Sequence, residues 1–396
     1  MTVCVAGKNE IAIDIASYIK ATYPKIELIG IVNDADKGVN GYFKSYKRFL
    51  DFENIKQCTL EDTYNIDNLL FLSLEFDKII SPGKFLSKKL YNLHFSLLPA
   101  YKGMYTSAWP ILNCEKYTGV TLHEIDRGID TGSIVTQYKI YLKNTETVQT
   151  LYKKYIFYGT LLVKNNLHNL IENTVNSFPQ AVVGSTYFSK KSIDYQNIHV
   201  KLDVTAYQLD AQIRAFTYRE YQIVSVFANK INRCYITNQK SNFKAGKILA
   251  ENEYSVTLST IDYDVILYKD RFPEFIEACK NNNIALVKQL FDKTNLEDKT
   301  NEGWTPLIVA CYNNSIETAA YLMEMGADVN AINYNGTTVL MYAKNAVLKT
   351  NQYDILTLLL NYKPDIYSKD FSARDVFYYL KDQSVDIANF IKNYHD

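Results

Sequence analysis

Residues 2–22 read TVCVAGKNEIAIDIASYIKAT, an apolar run closed by a glycine and followed at once by a helical pattern. Thr2 to Ala6 are too few for a buried helix and suit a strand covered on both faces. Beyond Gly7, apolar Ile11, Ile13, Ile15, Ala16 and Ile19 fall mainly on one helical face. Working outward, Ile26 to Val32 forms a second run that ends at Asn33-Asp34, and Leu69–Leu74 and Leu90–Leu93 supply two more. Strands alternating with helices predict an α/β fold whose parallel sheet carries helices on both sides. The Gly7 turn has one glycine where a dinucleotide fingerprint has three, so it gives little support to a dinucleotide site.

Composition narrows the class. A chain of 396 residues exceeds one ordinary core and suggests two or three domains, and 47% hydrophobic residues can fill them. Forty-three Lys plus Arg balance forty-three Asp plus Glu, which argues against a nucleic-acid partner. The six cysteines (Cys4, Cys58, Cys114, Cys234, Cys279 and Cys311) form no C-x-x-C pair and read as free thiols. The first residues lack a charged leader with an apolar core, and no uncharged run is long enough for a bilayer. A cytoplasmic protein without a membrane partner is expected.

A helical pattern from Thr147 to about Asn173 opens a second region. The short runs Val224–Phe227, Cys234–Thr237, Ser255–Leu258 and Val265–Tyr268 then predict a small β-rich part. The last region repeats: Gly303-Trp304-Thr305-Pro306-Leu307 recurs after 33 residues as Gly336-Thr337-Thr338-Val339-Leu340. Gly326 to Asn330 lies between the copies, and Ile366 to Ser368 takes a related place one repeat on. Period and T-P-L start resemble the ankyrin family, which implies an all-α array of three or four repeats. Phe371 stands where a glycine is usual, and the later copy is stretched near Lys349 to Tyr353. The domain limits read as 1–146, 147–271 and 272–396.

Two segments carry chemistry. Asn92-Leu93-His94-Phe95-Ser96-Leu97-Leu98-Pro99 is followed by Tyr101-Lys102-Gly103, and after Gly119 to His123 comes Asp126-Arg127-Gly128-Ile129-Asp130-Thr131-Gly132. Alternation aims Asn92 and His94 to one face at a strand end, where open α/β sheets place their sites. Gly128 and Gly132 suit a tight loop that brings Asp130 close to another group. Acyl transfer to an amine needs a donor for a developing oxyanion, a proton acceptor and a carboxylate that supports it. Asn92, His94 and Asp130 meet those needs in that order. Taken singly, each segment also reads as a structural histidine or a turn, and the loop lacks the oxygen ligands of a calcium-binding EF-hand. No metal is expected.

Jointly the segments resemble the formyltetrahydrofolate-dependent formyltransferases, which share N-x-H-x-S-L-L-P and an Asp in D-x-G-x-D-x-G about 36 residues after the His. His94 to Asp130 is 36. The resemblance covers residues 1 to roughly 270. It implies a Rossmann-like N-terminal domain, N10-formyltetrahydrofolate as cosubstrate, and Asn92, His94 and Asp130 as catalytic residues. The pterin would lie by the loop after Leu69–Leu74, with Leu74, Glu75, Phe76 and Asp126 as its candidate contacts.

Tyr101-Lys102-Gly103-Met104-Tyr105, the opening Val5-Ala6-Gly7-Lys8-Asn9 and Ile213 to Tyr218 are similar to the sugar-nucleotide N-formyltransferases. That branch implies a dTDP-linked amino-dideoxy sugar for surface polysaccharide such as O-antigen. With the repeats appended, dTDP-3-amino-3,6-dideoxyglucose ranks first and its 4-amino isomer second. Lys8, Asn9 and Lys78 are candidates for the sugar nucleotide's polar groups, the two lysines for its phosphates. Tyr218 or Tyr221 could stack on the thymine, and Tyr105 could line the sugar's path. Each of these residues also reads as ordinary packing or surface. A methionyl-tRNA formyltransferase, a formate-releasing hydrolase and an inactive scaffold are the alternatives; residues 151–270 carry 14 Lys/Arg against 10 Asp/Glu, sparse for tRNA. Trp304, beside its turn, is a candidate for stacking a base at a second, non-catalytic site; packing on a neighbouring repeat is the plainer alternative. The array could equally hold a protein partner, and the family resemblance implies a homodimer through the second region.

Overall fold

The structure is a computed structural model and describes residues 1–395. It has two compact units, one of Met1–Val39 with Lys44–Lys269, the other of residues 40–43 with residue 270 onward.

Nine short strands lie in the first part of the first unit: β1 (Thr2–Gly7), β2 (Glu27–Val32), β3 (Lys56–Gln57), β4 (Leu69–Leu74), β5 (Lys89–His94), β6 (Lys102–Gly103), β7 (Tyr117–Glu124), β8 (Ile134–Tyr141) and β9 (Tyr187–Phe188). Seven of them form one sheet in the order β3-β2-β1-β4-β5-β7-β8, while β6 pairs with β9 apart from it. The sheet is parallel from β3 to β5, as the sequence predicts. Its far edge differs, because β7 runs antiparallel to β5 and β8 antiparallel to β7. The nine residues between β7 and β8 suffice for a hairpin and are too few for a helical crossover.

All six residues of β1 and of β4 are buried, which explains their unbroken apolar runs. Helix α1 (Asn9–Thr22) covers them with Ile11, Ala12, Ile15, Ala16 and Ile19. Gly7 is a packing residue: a Cβ there would lie 1.9 Å from the carbonyl oxygen of Leu74 on the neighbouring strand. After α2 (Tyr46–Phe52) and the single turn α3 (Trp109–Leu112) comes the long α4 (Val148–Glu172). Thr147 caps α4 by accepting from Thr150 N while Thr150 accepts from Thr147 N. Such a cap contributes about 1 kcal/mol. Asn173 ends the helix in the left-handed conformation. Gly159 lets α4 settle onto Leu93 of β5 and Ile11 of α1, directly behind the strand that carries His94.

Helix α5 (Ala206–Phe216) leads to an antiparallel sheet of β10 (Ser225–Val226), β11 (Asn229–Lys240), β12 (Ile248–Glu251), β13 (Ser255–Leu258) and β14 (Tyr263–Lys269), ordered β10-β11-β14-β13-β12.

The second unit is built of helix pairs: α6 (Phe272–Lys280) with α7 (Ile284–Leu290), α8 (Pro306–Tyr312) with α9 (Ile316–Glu324), α10 (Val339–Thr350) with α11 (Asp354–Asn361), and α12 (Val376–Leu380) with α13 (Val385–His395). Thr305 and Thr338 cap α8 and α10, each two residues after a glycine with positive φ, Gly303 and Gly336. In the next copy Asp375 is the cap, and the left-handed position two residues earlier is Ala373 at φ 60°. Phe371 therefore does not replace the glycine; the register moves by four residues, from 33 to 37, as α10 lengthens to 12 residues against 7 in α8. The six cysteines are free. Among the described residues no helix is long and apolar enough to cross a membrane.

Candidate active site

His94 is the last residue of β5 and is buried. Its Nε2 lies 2.8 Å from the carbonyl oxygen of Tyr101. A carbonyl only accepts, which assigns the hydrogen to Nε2 and leaves Nδ1 as the proton acceptor. Nδ1 faces Asp130 Oδ2 at 3.5 Å. Burial pushes the imidazole below its ordinary pKa, and the Asp130 carboxylate opposes that shift.

Asp130 sits at φ 54°, a left-handed conformation that Asp tolerates better than most residues. The loop around it closes tightly: a Cβ on Gly132 would lie 1.8 Å from the carbonyl oxygen of Glu124, so only glycine passes there. Gly103 N donates to Asp130 Oδ2 at 2.8 Å, and Asn92 Nδ2 to Oδ1 at 3.4 Å. Burial alone would raise the Asp130 carboxyl, but the imidazoles of His94 and His123 and the Gly103 N–H hold it down at about 2. It is a carboxylate at neutral pH.

Asn92 and His94 do share one face and converge on Asp130, as their alternation predicts. His123 completes the cluster. It pairs with Asn92 across β5 and β7, accepts from Asn92 Nδ2 at 3.0 Å, and donates from Nδ1 to the Glu124 carbonyl at 2.7 Å. His123 ends the Gly119–His123 segment, but nothing local in the sequence marks it as a site residue. The antiparallel pairing that sets it opposite Asn92 was the missing information.

Glu75 is part of a second cluster. It follows Leu74, which pairs with Leu93, so its backbone lies one strand away from His94. Its Oε2 accepts from Tyr152 OH at 2.5 Å and Asn9 Nδ2 at 3.3 Å, and its carbonyl accepts from Asn33. Burial pushes its carboxyl up, against the pull of nearby Lys8 and of the Tyr152 and Asn9 donors. Lys8, Asn9 and Glu75 therefore gather at the ends of β1 and β4, where the strand order reverses and open sheets hold ligands. Tyr218 and Tyr221 are neighbours, with ring centroids 4.9 Å apart, and Tyr218 lies 6.3 Å from Tyr152.

The other predicted residues have distinct places. Leu74 is buried and Phe76 packs on the core around Cys4 and Ile29. Asp126 holds its own loop, accepting from Gly128 N and Thr131 Oγ1. Lys78 pairs with Asp34 at 3.1 Å in the open. Tyr105 donates to the Lys190 carbonyl and packs on Tyr195. Trp304, in the second unit, is half-buried with its ring 4.9 Å from Tyr312 and 4.7 Å from Tyr342. Among the described residues no group of His, Cys, Asp and Glu could hold a metal ion.

Beside the Asp130 loop opens a cavity of about 400 Å³, lined by Lys102, Asp126, Thr131, Gly132 and Gln180 among others. It falls within the size range of small-molecule sites. Gln180 contributes to its wall, and its Oε1 is a buried acceptor without a hydrogen-bond partner among the described residues.

Residues 64–163 match the formyl transferase family, and residues 275–370 match ankyrin repeats in three copies. The sugar 3N-formyl transferase WlaRD, solved in the presence of dTDP and 5-N-formyl-THF, is 37% identical, with a TM-score of 0.64 over 68% of this chain and 98% of that one. The chain belongs to the formyl transferase family. This formyl transferase is also similar to the N-formyltransferase of Helicobacter canadensis, solved with folinic acid and dTDP-3-aminofucose: 39% identical, TM-score 0.64, covering 68% of this chain and 99% of that one. A methionyl-tRNA formyltransferase of Clostridium tetani is 27% identical over 56% of this formyl transferase and 75% of that protein. The bifunctional polymyxin resistance protein ArnA of Wigglesworthia glossinidia brevipalpis is 36% identical over 124 residues, 31% of this chain, which span only 19% of that protein.

Proposed function

We propose that this formyl transferase moves the formyl group of N10-formyltetrahydrofolate onto the amine of a dTDP-linked amino-dideoxy sugar, dTDP-3-amino-3,6-dideoxyglucose before its 4-amino isomer, for surface polysaccharide. The observation that carries the reading is the His94–Asp130 pair, whose open Nδ1 stands 3.5 Å from a permanent carboxylate. Likeness to two relatives solved with dTDP or a dTDP-3-amino sugar supports the choice of acceptor.

The donor supplies a formyl carbon whose bond to N10 breaks as the sugar nitrogen bonds to it. His94 Nδ1 takes the proton that the attacking amine sheds and returns it to the departing nitrogen. Asp130 stabilises the imidazolium formed between those steps. Asn92 lies beside the same point, and the Nδ2 hydrogen it gives Asp130 Oδ1 at 3.4 Å would turn to the carbonyl oxygen as negative charge grows there. Comparable donors contribute roughly 3–4 kcal/mol. The cavity by Asp126 and Gln180 would take the folate, with Leu74, Glu75 and Phe76 along its approach. Lys8, Asn9, Lys78, Tyr105, Tyr218 and Tyr221 would face the sugar nucleotide. A homodimer joined through the β-rich part and a nucleotide platform at Trp304 belong to the same proposal.

The test is a product assay with N10-formyltetrahydrofolate and each amino sugar, read by mass spectrometry with His94→Ala as control. Gain of one formyl group on the 3-amino sugar is expected. Reaction of the 4-amino sugar alone would move the choice of isomer, and formylation of charged initiator tRNA in place of either sugar would overturn the reading. Binding stoichiometry of dTDP-sugar to Trp304→Ala tests the second site.

A further inference from the structure

We propose that residues 178–188 act as a strap that sets the catalytic geometry, with Gln180 and Thr186 as positioning residues. The inference rests on the reading of Asn92, His94 and Asp130 as the formyl-transfer site.

The strap grips both halves of the catalytic pair. On the Asp130 side, Gln180 Nε2 donates to the carbonyl oxygens of Asp130 and Gly132, each at 2.8 Å, so one amide spends both hydrogens across the base of the loop. Phe178 and Ile134 exchange backbone hydrogen bonds at 2.8 and 3.0 Å, anchoring the strap where that loop enters β8. On the His94 side, Thr186 Oγ1 accepts from Tyr101 N at 2.7 Å. Lys102 N donates to the Thr186 carbonyl and Met104 N to that of Phe188. Tyr101 in turn offers the carbonyl that fixes the His94 tautomer, and Gly103 the N–H that holds Asp130 Oδ2.

Asp130 and Tyr101 both stand at positive φ, 54° and 59°. Side chains other than glycine hold that conformation when surrounding contacts over-determine it, and strain of this kind gathers at active sites. Gln180 and Thr186 supply such contacts from a segment some 50 residues beyond Asp130 and 85 beyond Tyr101. These bonds to the catalytic loops act on the reaction through Asp130 and Tyr101, which is why both are positioning residues.

Steady-state kinetics of the full-length enzyme with N10-formyltetrahydrofolate and dTDP-3-amino-3,6-dideoxyglucose test the strap. Gln180→Ala is expected to lower kcat tenfold or more, with both KM values within twofold of wild type. Gln180→Lys, which keeps donor hydrogens, recovers part of that loss. Thr186→Val removes the acceptor at constant shape and is expected to lower kcat in the same way. The pH profile separates positioning from plain loss of folded enzyme. His94 faces Asp130 from its loop, His123 on β7 and Lys102 on β6. With the carboxylate no longer held beside Nδ1, the acid limb of kcat/KM in Gln180→Ala moves to lower pH. An acid limb that stays put, with activity falling only in step with the folded fraction by circular dichroism, would overturn the strap. So would a higher folate KM at unchanged kcat, which would make Gln180 a wall of the cavity and nothing more. Wild-type enzyme that turns over neither sugar would remove the underlying reading instead, a result distinct from active wild type with unaffected variants.

Discussion

The side-chain amide of Asn92 lies 3.0 Å from Nε2 of His123, across the antiparallel pair β5–β7, and 3.4 Å from Asp130 Oδ1. One Nδ2 thus reaches both an imidazole and a carboxylate, and its orientation depends on the pair. His123→Ala is expected to release Asn92 and lower kcat about tenfold, close to 1.4 kcal/mol of lost transition-state stabilisation, with little change in either KM. Equal loss in kcat and kcat/KM is the pattern to look for.

His94 is the proposed base, and its burial favours the neutral ring. The active form is therefore complete above the imidazole's depressed pKa and is lost as pH falls through it. The kcat/KM profile is expected to stay flat through neutrality and to turn down only below about 6.5, the ordinary imidazole value. An acid limb above that value would contradict the geometry.

Glu75 carries a carboxyl whose pKa burial has raised. A raised acid binds protons more readily folded than unfolded, so it stabilises the fold at low pH and loses that contribution as pH rises through the folded pKa. Tyr152 and Asn9 both donate to a single oxygen, Oε2, which a glutamine can present unchanged. Glu75→Gln is therefore expected to raise Tm at pH 7, with the difference closing toward pH 4. Thermal melts at the two pH values check it.

In the repeats, Ala373 occupies the left-handed position that Gly303 and Gly336 hold in earlier copies. An L side chain there costs roughly 1–2 kcal/mol, and glycine returns some of that gain through its freer unfolded chain. Ala373→Gly is expected to stabilise the second unit by about 1 kcal/mol in denaturant unfolding, without altering kcat.

The sequence made some of this legible and hid the rest for identifiable reasons. Thr147 and Asn173 mark the ends of α4 because capping is a local affair, and the helix runs Val148–Glu172 between them. Asn92, His94 and Asp130 stand out in the sequence because the proposed chemistry needs particular residue types at a particular spacing. β12 went unseen because its four residues, Ile248–Glu251, have no buried alternating face to leave a pattern. His123 and Gln180 were invisible as partners for a different reason. Each meets the site through strand pairing or a hydrogen bond 31 to 50 residues away in sequence, and no periodicity encodes such a meeting.

The order in which the chain supplies its parts adds a constraint of its own. Asn92, His94 and Asp130 have all appeared by residue 130, and the sheet beside which they meet is complete at Tyr141. Yet Gln180 and Thr186 arrive only after a 25-residue helix has crossed behind β5. A polypeptide emerging from the ribosome thus presents all three side chains before the segment that bonds to their loops. Any truncation that keeps the bonds from Gln180 and Thr186 to those loops must cut beyond residue 188.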